Sequence, residues 1–361
     1  MGIKATNLEV KQIMTDIKNL ITTSDSTLRN VMEIIGRNSK KIALVVDRDS
    51  KLIGTISDGD IRRGILEGKS LDSVIEDIYF KKPTVVNISE SKEAVIKLCI
   101  AKKIYQIPVV DDLGRIIGIE LLDELLKPDI HPNKVVLMVG GLGTRLKPLT
   151  ETTPKPMLHV GSKPILQTIV EKFASYGFVD IVMCVNYKSH IIHEFFGDGS
   201  KFGVNIEYIL EESRMGTAGA LSLLTKKPSE PFFVMNGDLL TNVNFEHLLE
   251  FHQLNNATAT MCVREYDFQV PYGVVNIEKG KITSIEEKPV HKFFVSAGIY
   301  MLNPECIELI PNDKFYDMPT LFEQLITTGE NTTSFPLREY WLDIGRMEEY
   351  EKANREYHEV F

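Results

Sequence analysis

Apolar positions along the chain fall into two regimes that change near residue 130. In the first, short apolar runs alternate with stretches of helical period, and the arrangement occurs twice. Ile42-Ala43-Leu44-Val45-Val46-Asp47 matches Gln106-Ile107-Pro108-Val109-Val110-Asp111. Val45 and Val109, Asp47 and Asp111, and Gly54 and Gly118 are separated by one constant interval, the mark of an internal repeat. Each copy predicts strand, polar turn, strand, helix. In the first copy these are 42–46, the turn 47–50, 52–56, and a helix from about Asp58. In the second they are 107–110, the turn 111–114, 116–119, and a helix from about Leu122. Upstream, Leu28, Val31, Met32 and Ile35 share one face of a helix, as do Ala94, Val95, Leu98 and Cys99.

Lys127-Pro128-Asp129-Ile130-His131-Pro132-Asn133 holds two prolines in a short polar stretch, which cannot continue a helix and reads as a linker. Beyond it the apolar runs are continuous rather than alternating. Val135–Val139 predicts a strand buried on both faces of a parallel sheet. A helical stretch at 165–176 follows, then apolar strands at 181–185, 206–210 and 232–235. Strands alternating with helices predict an α/β doubly wound sheet for this part.

Composition bounds what such a chain does. It has 361 residues, enough for about two domains. Its net charge of −9 argues against nucleic acid or an anionic membrane as partner, since both repel excess negative charge. That leaves room for one anionic nucleotide in a locally basic cleft. Cys99, Cys184, Cys262 and Cys306 are widely spaced and point to neither zinc nor a disulfide framework. No apolar run approaches the ~20 residues of a membrane helix. The opening residues lack the apolar core of a signal peptide, so a cytoplasmic location is expected.

The strand 135–139 runs straight into Gly140-Gly141-Leu142-Gly143-Thr144-Arg145-Leu146. Glycines let backbone N–H groups approach phosphate oxygens, and an arginine adds a cation that forks onto phosphate. Ligands of open α/β sheets bind at such carboxyl ends. The spacing is not GxGxxG, and Pro148-Leu149-Thr150 and Pro154-Lys155-Pro156-Met157 follow where a dinucleotide fold would place a helix. The run 232–235 leads into Asn236-Gly237-Asp238, a carboxylate at the sheet's edge. A second acid, Asp343, closes Trp341-Leu342-Asp343-Ile344-Gly345. One or two carboxylates plus substrate phosphates suit Mg²⁺.

The compound pattern GGxGTRLxPLT followed by PKPM resembles the sugar-1-phosphate nucleotidyltransferases, over about residues 134–350. The blocks FFVMNGD, YGVV, EEKP, SAGIYML and YWLDIG look most like the mannose-1-phosphate guanylyltransferases. The resemblance implies that Gly140, Gly141, Gly143 and Thr144 hold the triphosphate, with Arg145 and Lys155 carrying its charge. It implies base reading by Glu212, Gly216 and Thr217, and metal ligation by Asp238 and Asp343. It places Asn186, Gly273, Glu287, Lys288 and Ser296 at the sugar phosphate; Ser296 stands where many members have asparagine, so the sugar is open. Catalytic roles fall on Arg145, Lys155 and Asp238, with Mg²⁺ as cofactor and a nucleoside triphosphate, GTP favoured, and a sugar 1-phosphate as partners. Glucosamine 1-phosphate and mannose 1-phosphate are the sugars it favours. The product would be a nucleotide sugar for surface glycans or nonulosonic acids. For Asn186 a plain surface role stands equal to this one.

The repeated unit resembles a tandem of CBS domains, in copies at about 8–66 and 73–127. With a linker at 128–133 and a transferase domain at 134–361, the expected architecture is a CBS (α+β) pair before a doubly wound mixed sheet, Rossmann-like and of the GT-A type. The guanylyltransferases of bacterial legionaminic acid biosynthesis, acting on glucosamine 1-phosphate, share that order. The CBS resemblance implies an adenine or guanine nucleotide at Ser57 and Asp60, and a homo-oligomer. The plain reading of Ser57 and Asp60 is a helix cap. In the second copy Leu121 and Glu124 take those places, so a hydroxyl is lost. Three other functions remain in view: a non-catalytic nucleotide-sensing subunit, a transferase specific for UTP, dTTP or CTP, and a nicotinamide-dependent oxidoreductase. The presence of Arg145, Asp238 and Asp343 speaks against the first, and the loop spacing against the last.

Overall fold

The computed structural model describes residues 17–38 and 40–361. The start of the first repeat, read from about residue 8, lies outside them. The chain divides into two compact units, Met1–Pro128 and Asp129–Phe361.

The first unit realises the repeat down to individual hydrogen bonds. Ile21–Thr22 pairs parallel with Ile42–Val46, which pairs antiparallel with Leu52–Ser57. Val86–Asn87, Gln106–Val110 and Ile116–Leu121 repeat that order. The register slips between Val45 and Val46 in one copy and between Val109 and Val110 in the other. Asp47 Oδ1 accepts from the amides of Asp49 and Lys51, each at 2.9 Å. Asp111 Oδ1 accepts from those of Leu113 and Arg115, again at 2.9 Å. An Asx turn of this kind fixes the tight loop between the strands. The copies join through these turns: Leu52 N donates to Gly114 O at 3.0 Å and Ile116 N to Ser50 O at 3.2 Å.

Two helical details differ from the sequence reading. On Leu28–Arg37 the buried face is Leu28, Val31 and Ile35, while Met32 is exposed. On Lys92–Lys102 it is Val95 and Cys99, and Ala94 faces water. In both cases only part of the apolar stripe is fully buried. The helix expected from Leu122 is a single turn, Leu122–Leu125, against nine residues for its counterpart Asp58–Leu66.

The second unit is built on a seven-stranded mixed sheet. Its order is Asn205–Leu210, Asp180–Val185, Val135–Met138, Phe232–Asn236, Val290–Leu302, Ala259–Gln269, Thr332–Pro336. The first four strands run parallel. Val290–Leu302 is antiparallel to both its neighbours, and Thr332–Pro336 closes the edge parallel to Ala259–Gln269. Successive strand residues face opposite sides. Val135, Leu137, Phe233 and Met235 thus enter one core and Val136, Val182, Val234 and Cys184 the other. Two covered faces explain why these strands read as continuous apolar runs. Asp129–Asn133, read as linker, packs on this unit: His131 N donates to Gly177 O at 3.0 Å, its ring stacks on Phe178 at 4.5 Å, and Asn133 is buried. Two features escaped the sequence reading. One is the long antiparallel pair Ala259–Gln269 and Val290–Leu302. The other is the hairpin between them, Val274–Glu278 with Lys281–Glu286. These form an arm whose outer part is exposed, since among the described residues nothing covers it beyond the sheet. Among the described residues no helix is long and apolar enough to cross a membrane.

The larger core centres on Phe173, Phe178, Phe233 and Phe245, all fully buried, with Phe173 and Phe245 stacked at 3.7 Å. Phe233→Ala should cost about 3–5 kcal/mol in denaturant unfolding. Phe268→Ala, on the exposed arm, should stay within about 0.5 kcal/mol of wild type. Equal losses at the two positions would contradict the assignment of the core.

Candidate functional site

The sheet delivers chemistry at the carboxyl ends of its parallel strands. Val135–Met138 and Phe232–Asn236 lie side by side, and Gly237 N donates to Met138 O at 2.9 Å, so the loops leaving them start together. At Gly143 the backbone takes φ 63°, and a Cβ there would lie 2.9 Å from Thr150 Cγ2 and 3.0 Å from Lys155 Cβ. Only glycine accommodates both demands. Thr150 Oγ1 donates to Gly143 O at 2.9 Å and closes the loop on itself. No α-helix follows, only the short 3₁₀ turns Thr144–Leu146, Leu149–Glu151 and Lys155–Met157. The last turn buries Lys155, 6 % exposed, beneath the loop.

Lys155 meets two acids there. Its Nζ donates to Asp238 Oδ2 and stands 3.9 Å from Asp343 Oδ1. The acids are separated by more than a hundred residues and are joined by a short antiparallel pair. Leu239–Thr241 runs against Trp341–Asp343, with Leu239 opposite Asp343. Ile344 N donates to Asp238 O at 3.1 Å. Trp341 Nε1 donates to Ala297 O at 2.8 Å and ties the second acid's strand back to the main sheet. Loss of hydration and the nearby Asp238 carboxylate hold the Asp343 carboxyl above the usual aspartate range, against the pull of Lys155 and Arg145. Asp238 Oδ1 is buried without a hydrogen-bond partner. A buried carboxylate oxygen left unpaired is costly and calls for a cation or donor from outside the protein. Two carboxylates beside an open cleft match the donor set of Mg²⁺, which takes few protein ligands and keeps positions for phosphate and water. Among the described residues no cluster of three or more acidic, histidine or cysteine side chains could form a closed metal cage.

Beside these acids lies a cavity of about 330 Å³. Of the residues singled out in the sequence, Gly140, Gly141, Lys155, Gly216, Thr217 and Asp238 line it. Arg145 and Asp343 stand at the acid pair rather than on the cavity wall, and Arg145 is exposed. Glu212 is also exposed and does not line it; its neighbour Glu211, 7 % exposed, does. The sequence stretch held two adjacent glutamates, and only strand parity decides which one turns inward. Burial pushes the Glu211 carboxyl up, while the Met215 amide donates to it. Arg214 and Phe315 on the same wall were not legible as site residues. Asn186 does not face the cavity. Its Nδ2 donates to Glu211 O at 2.6 Å and holds two strand ends together. Thr217 spends its hydroxyl inside the protein, donating to Asp317 Oδ1 at 3.2 Å and accepting from Met318 N at 2.8 Å. Thr144 is exposed on the loop.

Of the residues that the resemblance assigns to the sugar phosphate, Gly273, Glu287, Lys288 and Ser296 sit on the arm and do not line the cavity. A Cβ on Gly273 would lie 3.0 Å from Glu287 Oε2, so these two adjoin. Lys288 follows in a left-handed turn, φ 48°. Ser296 is exposed at the arm's root, its Oγ 2.9 Å from the Tyr300 hydroxyl. In the first unit, Ser57 donates to Asp60 Oδ2 from both its amide (2.8 Å) and its hydroxyl (2.6 Å), and Arg63 pairs with Asp60 Oδ1. That is capping geometry at the start of Asp58–Leu66, with both carboxylate oxygens engaged.

The nucleotidyl transferase family model matches residues 134–360, and the CBS domain model matches 10–67 and 75–119. The mannose-1-phosphate guanyltransferase of Yarrowia lipolytica is 39 % identical over 225 residues, and that of Saccharomyces cerevisiae 35 % over 232. Each alignment takes in 60 % of this chain, and the chain spans 62 % of the length of these curated relatives. Among solved structures, a putative glucose-1-phosphate thymidylyltransferase from Bacillus anthracis superimposes with a TM-score of 0.51 at 26 % identity, over 62 % of this chain and 94 % of that one. HddC from Yersinia pseudotuberculosis does so with a TM-score of 0.50 at 28 % identity, over 62 % and 99 %.

The raised Asp343 carboxyl has a thermodynamic consequence. A carboxyl whose pKa is higher folded than unfolded destabilises the fold while ionised, and stability recovers as pH falls through the folded value. In metal-free protein, Asp343→Asn should therefore raise the thermal midpoint at pH 7, with the difference shrinking as pH is lowered toward 4. Thermal unfolding in chelator at both pH values checks this; a lower midpoint for the variant at pH 7 would contradict it.

Proposed function

This chain belongs to the nucleotidyl transferase family, and from that premise we propose that it transfers a nucleoside monophosphate from a nucleoside triphosphate to a sugar 1-phosphate, releasing pyrophosphate. The observation that carries the reading is the meeting of Asp238, Lys155 and Asp343 at the mouth of the glycine-rich loop. A phosphate oxygen of the sugar attacks the α-phosphorus. A new P–O bond forms, the bond between the α-phosphorus and its bridging oxygen to the β-phosphorus breaks, and pyrophosphate carries the charge away. The nucleophile is already anionic near pH 7, so no general base is needed and the protein's work is positioning and charge balance.

A magnesium ion on Asp238 and Asp343 would neutralise triphosphate charge. The loop amides at Gly140 and Gly141 receive phosphate oxygens. Lys155 now satisfies Asp238; with that carboxylate otherwise engaged, its ammonium turns to phosphate. Arg145, exposed beside Asp343, completes the positive side. Lys288 and Glu287 on the arm are assigned to the sugar phosphate and hydroxyls, with Gly273 beside Glu287 and Ser296 further along the arm at its root.

GTP is the favoured donor. Relatives at 35 and 39 % identity are mannose-1-phosphate guanyltransferases, and a buried carboxylate suits guanine, whose N1–H and N2–H both donate. Mannose 1-phosphate and glucosamine 1-phosphate are the acceptors to try first. An adenine or guanine nucleotide at Ser57 and Asp60 would have to displace three existing bonds, which favours the capping role.

Pyrophosphate release, measured for several nucleoside triphosphates against several hexose and hexosamine 1-phosphates, tests the reading. Asp238→Ala should lower the productive pair's rate by on the order of 10²–10³, and near wild-type turnover would refute the assignment. Glu211→Gln should reduce kcat/KM for GTP about tenfold while sparing other triphosphates, in line with ~1–3 kcal/mol for a bidentate base contact. An equal effect on all triphosphates would remove Glu211 from base selection.

A further inference from the structure

One side chain on the cavity wall has no part in the mechanism above. Phe315 lines the cavity yet leaves 62 % of its surface exposed. A single exposed phenylalanine is ordinary. The backbone that carries this one is not, because it is clamped to the loop that forms the cavity's inner wall. Tyr316 N donates to Met215 O at 2.9 Å, and Tyr316 O accepts from Ala218 N at 3.0 Å and Gly219 N at 2.9 Å. Asp317 Oδ1 accepts from Thr217 N at 2.9 Å as well as from its hydroxyl. On the other flank Asp313 N donates to Ser222 Oγ at 3.4 Å. At Gly216, φ 78°, a Cβ would lie 2.6 Å from Asp317 Oδ1 and 2.7 Å from Tyr316 O, so the two segments touch backbone to backbone. The ring is thus a wet aromatic surface on a rigid mount. It borders the same cavity as the phosphate loop and as Glu211, the carboxylate assigned to the base edge.

We propose that Phe315 is the stacking platform of the nucleobase. The proposal rests on the nucleotide-site reading above and deepens it: Glu211 would read the base's edge, and Phe315 would take its face. Every base has a π-face, so a platform adds affinity without choosing among hydrogen-bond patterns, and it favours the larger purine ring. Pre-fixing the backbone spares the ordering cost of a loop that closes only on binding.

The test measures GTP and CTP binding by calorimetry on the full chain, together with steady-state pyrophosphate release. Phe315→Ala should weaken GTP binding on the order of tenfold, as expected for loss of one base–aromatic stack. CTP should lose less, and kcat and the KM for the sugar phosphate should hold. Phe315→Leu, apolar without a π-face, should fall between; Phe315→Tyr should bind as wild type. Phe315→Trp adds a reporter beside the single natural tryptophan, Trp341, and its emission should change on adding GTP beyond any change in wild type. If wild type binds GTP and Phe315→Ala binds it equally well, the platform is refuted while the nucleotide site stands. If wild type binds no triphosphate, both fall.

Discussion

Two carboxylates and one ammonium, brought together from three distant parts of the chain, set the terms for everything around them. Asp238 and Asp343 repel each other, and burial together with that repulsion raises the Asp343 carboxyl. Lys155 offsets that repulsion from a buried position, where removing one partner of an ion pair costs about 3–5 kcal/mol. The fold must hold this arrangement against its own electrostatics. It does so with the short pairing of Leu239–Thr241 against Trp341–Asp343, and with the turn that buries Lys155 under the glycine-rich loop. Asp238 Oδ1 stays buried and without a hydrogen-bond partner among the described residues.

Placing that cluster at the carboxyl ends of parallel strands solves a second problem. Strands buried on both faces are rigid and apolar, so the polar groups that leave them do so together and on one side. The glycine-rich loop and Asp238 follow directly from such strands, and Glu211 from the half-exposed edge strand beside them. Gly273, Glu287, Lys288 and Ser296, which the proposed reading assigns to the sugar, do not. They ride on an exposed antiparallel arm, a part of the fold with few packing constraints.

How much of this was legible in the sequence depends on whether local or distant constraints decided each feature. The repeat was legible because Asp47 and Asp111 each encode a complete turn within five residues, and the structure makes the same two bonds in both. The buried parallel strands were legible to within a residue or two from their unbroken apolar runs. The antiparallel arm was not, since Ala259–Gln269 and Val290–Leu302 pair across an intervening hairpin, and that hairpin's own strands bury almost nothing. Contiguous motifs pointed to Lys155 and Asp238, and both line the cavity. The sequence reading named Glu212, whereas Glu211 lines the cavity, because inward or outward direction is set by strand register. Phe315 gave no signal at all, because its position comes from a loop that meets Met215–Gly219 only in three dimensions. Ser57 and Asp60 show the opposite case, where a sequence that could bind a ligand also spells a complete helix cap.

The central claim is that Asp238 and Asp343 together seat the cation that accompanies the triphosphate, with Lys155 exchanging a carboxylate for phosphate. Anomalous diffraction from crystals grown with Mn²⁺ and a non-hydrolysable GTP analogue tests it directly. The account predicts an anomalous peak at coordinating distance from both carboxylates, with Lys155 Nζ moved from Asp238 onto a phosphate oxygen. A peak away from the two acids, or a bound nucleotide with the Lys155–Asp238 pair intact, would contradict it.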